Sequence, residues 1–534
     1  MHGRPMQASA ARRPVQEVLR GSGPYVPPFV VLTVSLVPIL IYNGADPRLF
    51  DDAYYYIVIA RHIVELGESS FTPGLPTNGY HPLWLLLLSA VGGVFGFSLA
   101  VVKVTEIFVV CAGLILFTRL FKLNDFVEST FCTFMLWYAI RPVALLGVET
   151  SLLFPASVLF FASLVSEDRF VARRRTLSLF LSGGFVIGTR LDAALFALPL
   201  IAVASVTARQ KLGIFLGLVA MGLSYAFINR SAFGISVPVS GAVKSIGGLQ
   251  INQVYLDQLA LYFQHSTLDE LIGLRWIVAP WLAALLALAV AIILAAITVP
   301  SRGRPSFFTV VLSAMIVGML LYGARLIFTS SWRAWYWYGY PVMFFAVLFI
   351  SQVPAPFARP GVKRIFLAIP AVVLFGCFLY QAIAKENVTS PLDDFVTLNR
   401  RFVETEGKRL DGQTVAMGDR AASFAYYYQG SVYHLEGLVN TASYLAVLKA
   451  GGDMRAHLCH ANIRFLVDYE VPLDAYVTHR IDVFRPTLTS IRGPYITVFA
   501  DEEVATFEDL SVFDNRASDG DHRIYVWRLD CARR

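Results

Sequence analysis

The sequence predicts a mainly α protein: a polytopic membrane helical bundle of about eleven spans, with a small C-terminal α/β domain outside the membrane. Three observations predict it. The 534 residues are 56% hydrophobic and only 15% charged, against about 25% charged in a soluble domain, and mean hydropathy is +0.59. Apolar runs of roughly 17–25 residues, the length that crosses a bilayer, recur as far as residue 383. Near Lys385 these runs stop, charge rises and short β-rich stretches begin. The net charge of +6 is not a nucleic-acid signal. Lys and Arg sit in short loops between apolar runs, where the positive-inside rule places them.

Residues 1–25 read as a polar cytoplasmic tail, with Arg12, Arg13 and Arg20 on the inner side and no convincing signal-peptide cleavage site. The first span, about Pro27–Tyr42, exits outward, so Asp46 to Tyr80 form an outer loop. Within it Ala53, Tyr56, Ile57, Ala60, Ile63 and Val64 recur at helical spacing, with Arg61, His62 and Glu65 largely off that stripe. That is the pattern of a helix lying on the membrane surface. Residues 82–98 are apolar, but Gly92, Gly93 and Gly96 interrupt their end. If this stretch crossed, Arg119 and Lys122 would face outward; as a re-entrant or juxtamembrane helix it leaves every later basic loop inside. The remaining spans are then 104–121, 127–143, 151–166, 176–189, 193–208, 212–229, 274–298, 307–327, 338–353 and 365–383. Arg173–Arg175, Arg209/Lys211, Arg302/Arg304 and Arg359/Lys363/Arg364 all fall inside on this count.

The expected division is a tail over 1–25, a membrane module over 26–383 and an extracytoplasmic domain over 384–534. In the last, runs such as Thr414–Met417, Ile463–Val467, Tyr495–Phe499 and Ile524–Trp527 read as strands, and Ser443–Lys449 as helix. Met417–Arg420 and Glu436–Asn440 read as turns. Cys111, Cys132 and Cys377 fall in apolar runs and read as packing residues. Cys459 and Cys531 are free to pair only if their domain lies in an oxidising compartment. Asn387-Val388-Thr389 is a sequon that matters only in a glycosylating host.

This topology collects polar groups on the outer side: Asp51 and Asp52, His81 after Tyr80, Glu149, Arg190 and Asp192, Lys244, Arg325 and Arg333. Ionisable groups at a bilayer cost roughly 2.5–3.5 kcal/mol each by insertion scales and persist when paired or functional. Each has a plain structural alternative. One aspartate of the pair would suffice to cap the surface helix. His81 is followed by Pro82 and would simply end the loop; Arg190 and Asp192 would form an internal ion pair; Lys244 would be solvated. Trp332, Trp335, Tyr336, Trp337, Tyr338 and Tyr340 read as an interfacial aromatic belt. The functional alternative is attack by a hydroxyl on an anomeric carbon. That chemistry needs one carboxylate base and cations to receive a departing phosphate, whereas a glycosidase needs paired carboxylates.

The residues Asp51-Asp52, Tyr80-His81-Pro82-Leu83, Gly147-Val148-Glu149-Thr150 and Phe233-Gly234 through Lys244 resemble, in that order, the GT-C glycosyltransferases. The nearer likeness is to the protein O-mannosyltransferase and aminoarabinose transferase branch, family 39-like, over residues 27–350. The resemblance implies juxtamembrane helices in the first outer loop and a sugar donor on polyprenyl phosphate. It implies a glycan, lipid or protein acceptor, and a bacterial plasma-membrane setting with an extracytoplasmic site. Asp51 matches the catalytic base position, with Asp52 where the branch often has Glu. Glu149 matches the second acidic position. A divalent cation (Mg or Mn), if the chemistry is metal-dependent, would rest on Asp51 and Glu149. The other classes weighed are a flippase of lipid-linked sugars, which needs polar groups along a path through the bilayer, and a glycan sensor anchored by its spans.

Overall fold

The computed structural model describes, with single-residue gaps, residues 23–41, 49–165, 174–256, 307–330, isolated positions in 332–376, 394–469, 480–484, 496–499, 502–508 and 523–531. The expected spans 274–298, 338–353 and 365–383 therefore lie wholly or mostly outside the described residues. So do Arg333, Cys377, Asn387 and most of the tail and aromatic belt.

The first part is helical: α1 (Val26–Ile41), α2 (Asp51–Glu65), α3 (Pro82–Phe95), α4 (Leu99–Leu120), α5 (Phe126–Ala144), α6 (Thr150–Val165), α7 (Arg175–Thr189), α8 (Ala194–Val203), α9 (Ala208–Phe233), α10 (Val239–Lys244) and α11 (Phe307–Phe328). Among the described residues α4, α9 and α11 are long and apolar enough to cross a membrane. With the composition above, this makes the chain an integral membrane protein. Ser98 caps α4 through Val101 N, and Asp125 caps α5 through Val127 N and Glu128 N. Thr207 and Gln210 form a capping box at the start of α9. That box starts α9 four residues before the run expected at 212, and α8 stops at Val203, short of the expected 208.

The C-terminal part alternates α12 (Asp394–Thr405), β1 (Val415–Met417), α13 (Ala421–Tyr427), β2 (Val432–His434), α14 (Ala442–Ala450), β3 (Gly452–Asp453), α15 (Arg455–His460) and β4 (Phe465–Asp468), followed by β5 (Arg480–Phe484), β6 (Ile496–Phe499), β7 (Glu502–Glu508) and β8 (Arg523–Arg528). One sheet has the order β2-β1-β4-β8-β7. Its β1 lies parallel to both β2 and β4, while β8 is antiparallel to β4. A second sheet has the order β3-β6-β5. A disulfide joins Cys459 on α15 to Cys531 after β8.

One apolar core runs through the bundle, from Val110 and Phe154 to Leu200 and Met315. A second is shared between the first outer loop and the C-terminal part. It joins Tyr54, Tyr55 and Trp84 to Phe402, Phe424, Val432 and Ile524. Here the structure corrects the reading of α2 as an amphipathic surface helix. Residues 53–60 are all buried. Tyr54 packs edge-on against Tyr426, with centroids 5.3 Å apart, and Tyr55 against His434 at 5.1 Å. The face that spacing alone assigns to water is covered by chain some 370 residues away.

The placement of α3 follows from its two ends. Near its start Trp84 Nε1 donates to Gly147 O, 3.0 Å away, in the loop before α6. Past its end Phe97 O accepts from Tyr426 OH at 3.2 Å, beside Tyr54. Both ends of α3 thus lie beside residues that pack on α2, through Gly147 against Ala53 and Tyr426 against Tyr54. The pair α4–α5 leaves this region and returns to it. Near the start of α4 Lys103 donates to Leu145 O, and Gly147 N donates to Glu106.

Candidate active site

The site begins where α2 begins. Phe50 is extended and donates its N–H to Leu146 O at 3.0 Å, which ties the first turn of α2 to the loop carrying Glu149. Asp51 and Asp52 are the first two helical residues, where the helix dipole favours negative charge. They point to different partners. Asp51 Oδ1 accepts from Ser423 N at 3.0 Å. Ser423 is in the first turn of α13, so Asp51 caps a helix of the C-terminal part. Asp52 makes no hydrogen bond or ion pair among the described residues, and its charged neighbours are Lys244, Asp51, Glu149 and Glu436.

Glu149 is buried and fully engaged. Its Oε1 accepts from Arg190 Nη1 at 2.8 Å, and its Oε2 accepts from Tyr56 OH at 2.9 Å. His81 Nε2 lies 3.6 Å from the same Oε1, and His81 N donates to Tyr56 OH at 3.3 Å. Arg190 sits in the break between α7 and α8, where its Nε donates to Asp192 Oδ1 at 2.9 Å. Asp192 Oδ2 also takes Arg325 Nη1 at 3.1 Å and Tyr322 OH at 3.3 Å. The chain Glu149–Arg190–Asp192–Arg325 thus links three separate stretches of sequence and balances its own charge.

Lys244, at the end of α10, donates to Tyr338 OH at 2.9 Å. The Tyr338 ring lies 5.1 Å from the Arg190 guanidinium. Asn78 holds this corner together. It donates to Asn229 Oδ1 at 2.8 Å and Val237 O at 3.0 Å, and accepts from Val239 N at 2.9 Å. That pins the Pro76–Pro82 step to the end of α9 and the start of α10.

The electrostatics divide the groups. Burial pushes the Asp52 carboxyl up to about 7, and Lys244 pulls it part of the way back. Burial raises Asp51 to about 6, held down by its hydrogen bonds from Ser423. For Glu149 burial pushes upward, but His81 and Arg190 outweigh it and hold the carboxyl below its ordinary value. Asp192 is likewise held well down by Arg190 and Arg325 against its burial. Burial lowers His81, outweighing Glu149, which lies 3.6 Å away. Lys244 stays charged, since Tyr338 and Asp52 outweigh its burial.

Of the residues singled out from the sequence, the structure brings together Asp51, Asp52, His81, Glu149, Arg190, Asp192, Lys244 and Arg325. Tyr80 points elsewhere: its hydroxyl bonds Ser69 Oγ at 2.7 Å and closes its own loop. Tyr56 and Tyr338 join the site without having been singled out as site residues. Glu106, an ionisable residue inside an apolar run and so a readable signal, pairs with Lys103 at 3.3 Å and braces the Leu145–Gly147 turn. Gly147 has φ 87° there, and a Cβ on it would overlap Ala53. Gly147→Ala is therefore expected to cost about 2 kcal/mol or more, read as a lower melting temperature with activity lost in proportion.

Asp51 and Glu149 do not offer themselves as metal ligands. The Glu149 oxygens are taken by Arg190 and Tyr56, Asp51 Oδ1 by Ser423, and among the described residues no three His, Cys, Asp or Glu converge.

The described helices carry a buried ionic site, Glu149–Arg190–Asp192, beside the start of α2. No protein-family model matches the sequence, and no curated protein matches it. Among solved structures the chain resembles ArnT from Cupriavidus metallidurans bound to undecaprenyl phosphate, with a TM-score of 0.50 and 11% identity, over 97% of this chain and 99% of that one. The apo state of the same ArnT gives a TM-score of 0.48 at 14% identity, over 88% and 96%. The Archaeoglobus fulgidus oligosaccharyltransferase in complex with Zn and sulfate gives 0.47 at 11%, over 84% and 67%. At such identity the likeness is one of fold.

Proposed function

We propose that the protein is an inverting glycosyltransferase that moves a sugar from a polyprenyl-phosphate donor to an extracytoplasmic glycan, lipid or protein. The observation that carries this reading is a carboxylate outside every ion pair among the described residues, Asp52, with the half-buried Lys244 among its charged neighbours, beside the ionic network of Glu149, Arg190, Asp192 and Arg325. Asp52 takes the proton of an acceptor hydroxyl as its oxygen attacks the anomeric carbon. The bond from that carbon to the phosphate oxygen breaks, and the electron pair leaves with the polyprenyl phosphate. Lys244 receives the charge. One displacement inverts the anomeric centre.

This reading moves the base from Asp51, expected from the resemblance, to Asp52. Asp51 becomes a positioning residue that holds α13 against α2. Glu149 is also a positioning residue, orienting Tyr56, His81 and Arg190. A lipid-phosphate donor is supported by the fold shared with a protein solved with undecaprenyl phosphate. An extracytoplasmic site is supported by the Cys459–Cys531 disulfide, since such bonds persist in oxidising compartments.

The test is incubation of purified protein with a panel of polyprenyl-phosphate sugars and cell-envelope extract. Consumption of one donor, with release of polyprenyl phosphate and a product of inverted configuration, is expected. Flipping of labelled lipid-sugar in proteoliposomes with no donor consumed would replace the transferase with a flippase.

A further inference from the structure

The C-terminal part presents one particular edge to the site. β1, β2 and β4 are parallel, and in open α/β sheets ligands bind outside the carboxyl ends of such strands. Two residues beyond the end of β1 stands Asp419, and two beyond the end of β2 stands Glu436. Both ends abut the aspartate pair. Asp419 is a charged neighbour of Asp51, and Glu436 of Asp52. The last residue of β2, His434, is fully buried. Its Nε2 shares a 2.8 Å hydrogen bond with Tyr55 OH on α2 and lies 3.6 Å from Glu436 Oε2, while its Nδ1 has no partner among the described residues. The loop after Glu436 also sits directly on the Pro76–Pro82 step: a Cβ on Gly79 would overlap Leu438 O. The sheet edge therefore lies beside Asp52 and the start of α2.

We propose that Glu436, assisted by Asp419, binds the acceptor, and that the acceptor is a neutral polyhydroxylated glycan. The proposal rests on the transferase reading above and deepens it. A hydroxyl-rich ligand suits a carboxyl that both donates and accepts hydrogen bonds. Burial and the nearby Asp419 hold Glu436 well above the ordinary carboxylate range, so it meets a ligand largely as the neutral acid. A cationic acceptor would require the ionised form instead.

The experiment uses the full chain and separates acceptor from donor. Glu436→Ala is expected to raise the acceptor KM about tenfold, the loss of one or two hydrogen bonds, with donor KM within about twofold. Glu436→Gln, which still donates and accepts, is expected to stay within about threefold of wild type. Asp419→Ala, at an exposed position, is expected to raise acceptor KM by about threefold and secures the test if Glu436→Ala does not fold. Equilibrium binding of neutral hexose and pentose oligosaccharides should weaken in the same order. Unchanged acceptor KM and unchanged glycan binding in both alanine variants would overturn the proposal. Damage in Glu436→Gln equal to that in Glu436→Ala would overturn the neutral-glycan assignment in favour of a cationic acceptor. Glycan binding that depends on Glu436, in a protein that consumes no lipid-linked sugar, would sink the transferase reading and leave this glycan site standing.

Discussion

Asp52→Asn is expected to lower turnover by about a thousandfold, within the range a positioned general base contributes, while the protein inserts normally and is no less stable than wild type. Asp51→Asn is expected to lose no more than about tenfold, because an amide oxygen still accepts from Ser423 N. The same substitution at Asp52 carries a stability signature of opposite sign. Burial holds the folded carboxyl at about 7 against an ordinary 3.8. Between those values the folded protein keeps a proton that the unfolded chain releases, so this contribution is full below about pH 4 and is lost as pH rises through 7. An asparagine never ionises. Asp52→Asn should therefore match the wild-type melting temperature at pH 4 and exceed it by roughly 2 °C at pH 8. A rate loss joined to a stability gain at high pH separates a strained base from a residue that merely supports the fold. Equal, large rate losses in both aspartate variants would leave the assignment of the base to Asp52 without support.

Arg190→Ala is expected to have the largest effect on stability. Arg190 is 2% exposed and lies between Glu149 at 2.8 Å and Asp192 at 2.9 Å. Truncation leaves two buried carboxylates facing each other without their shared cation. Removing one partner from a buried ion pair costs about 3–5 kcal/mol, enough to deplete folded protein at 37 °C. The double variant Arg190→Met/Glu149→Gln should recover part of this, because the uncompensated charge is gone. Thermal melting in detergent checks both. An Arg190→Ala protein that melts within about 1 °C of wild type would mean that the network is solvated and not structural.

Much of the site's membership could be read from the chain because membrane topology is a parity problem. Basic loops fix which ends of the spans share a side, and that places Asp51, Asp52, His81, Glu149, Arg190, Lys244 and Arg325 on one face before any coordinate is known. The 2.9 Å bond from Tyr56 to Glu149 joins α2 to the Glu149 loop directly. What could not be read was which partner each group chose. Asp51 and Asp52 are chemically identical neighbours, and only the approach of α13 tells them apart. The period of α2 correctly marks a helix. Helical period says nothing about a distant tyrosine pair, Tyr426 and Tyr427, that covers its second face. Asp419 and Glu436 read as turn residues because they are turn residues; their placement at the carboxyl edge of a parallel sheet depends on strand pairings made across the whole C-terminal part. Tyr80 failed for the converse reason: it sits beside His81 in sequence, but its hydroxyl finds Ser69 within the same loop.

The measurement closest to the central claim is the pH dependence of kcat/KM for wild type and for Lys244→Met. If Asp52 is the base and Lys244 its neighbouring cation, the wild-type rate falls below a limb near pH 7, and that limb moves to higher pH in Lys244→Met because the charge that favoured the carboxylate is gone. A limb near pH 4, unmoved by the loss of Lys244, would contradict the account.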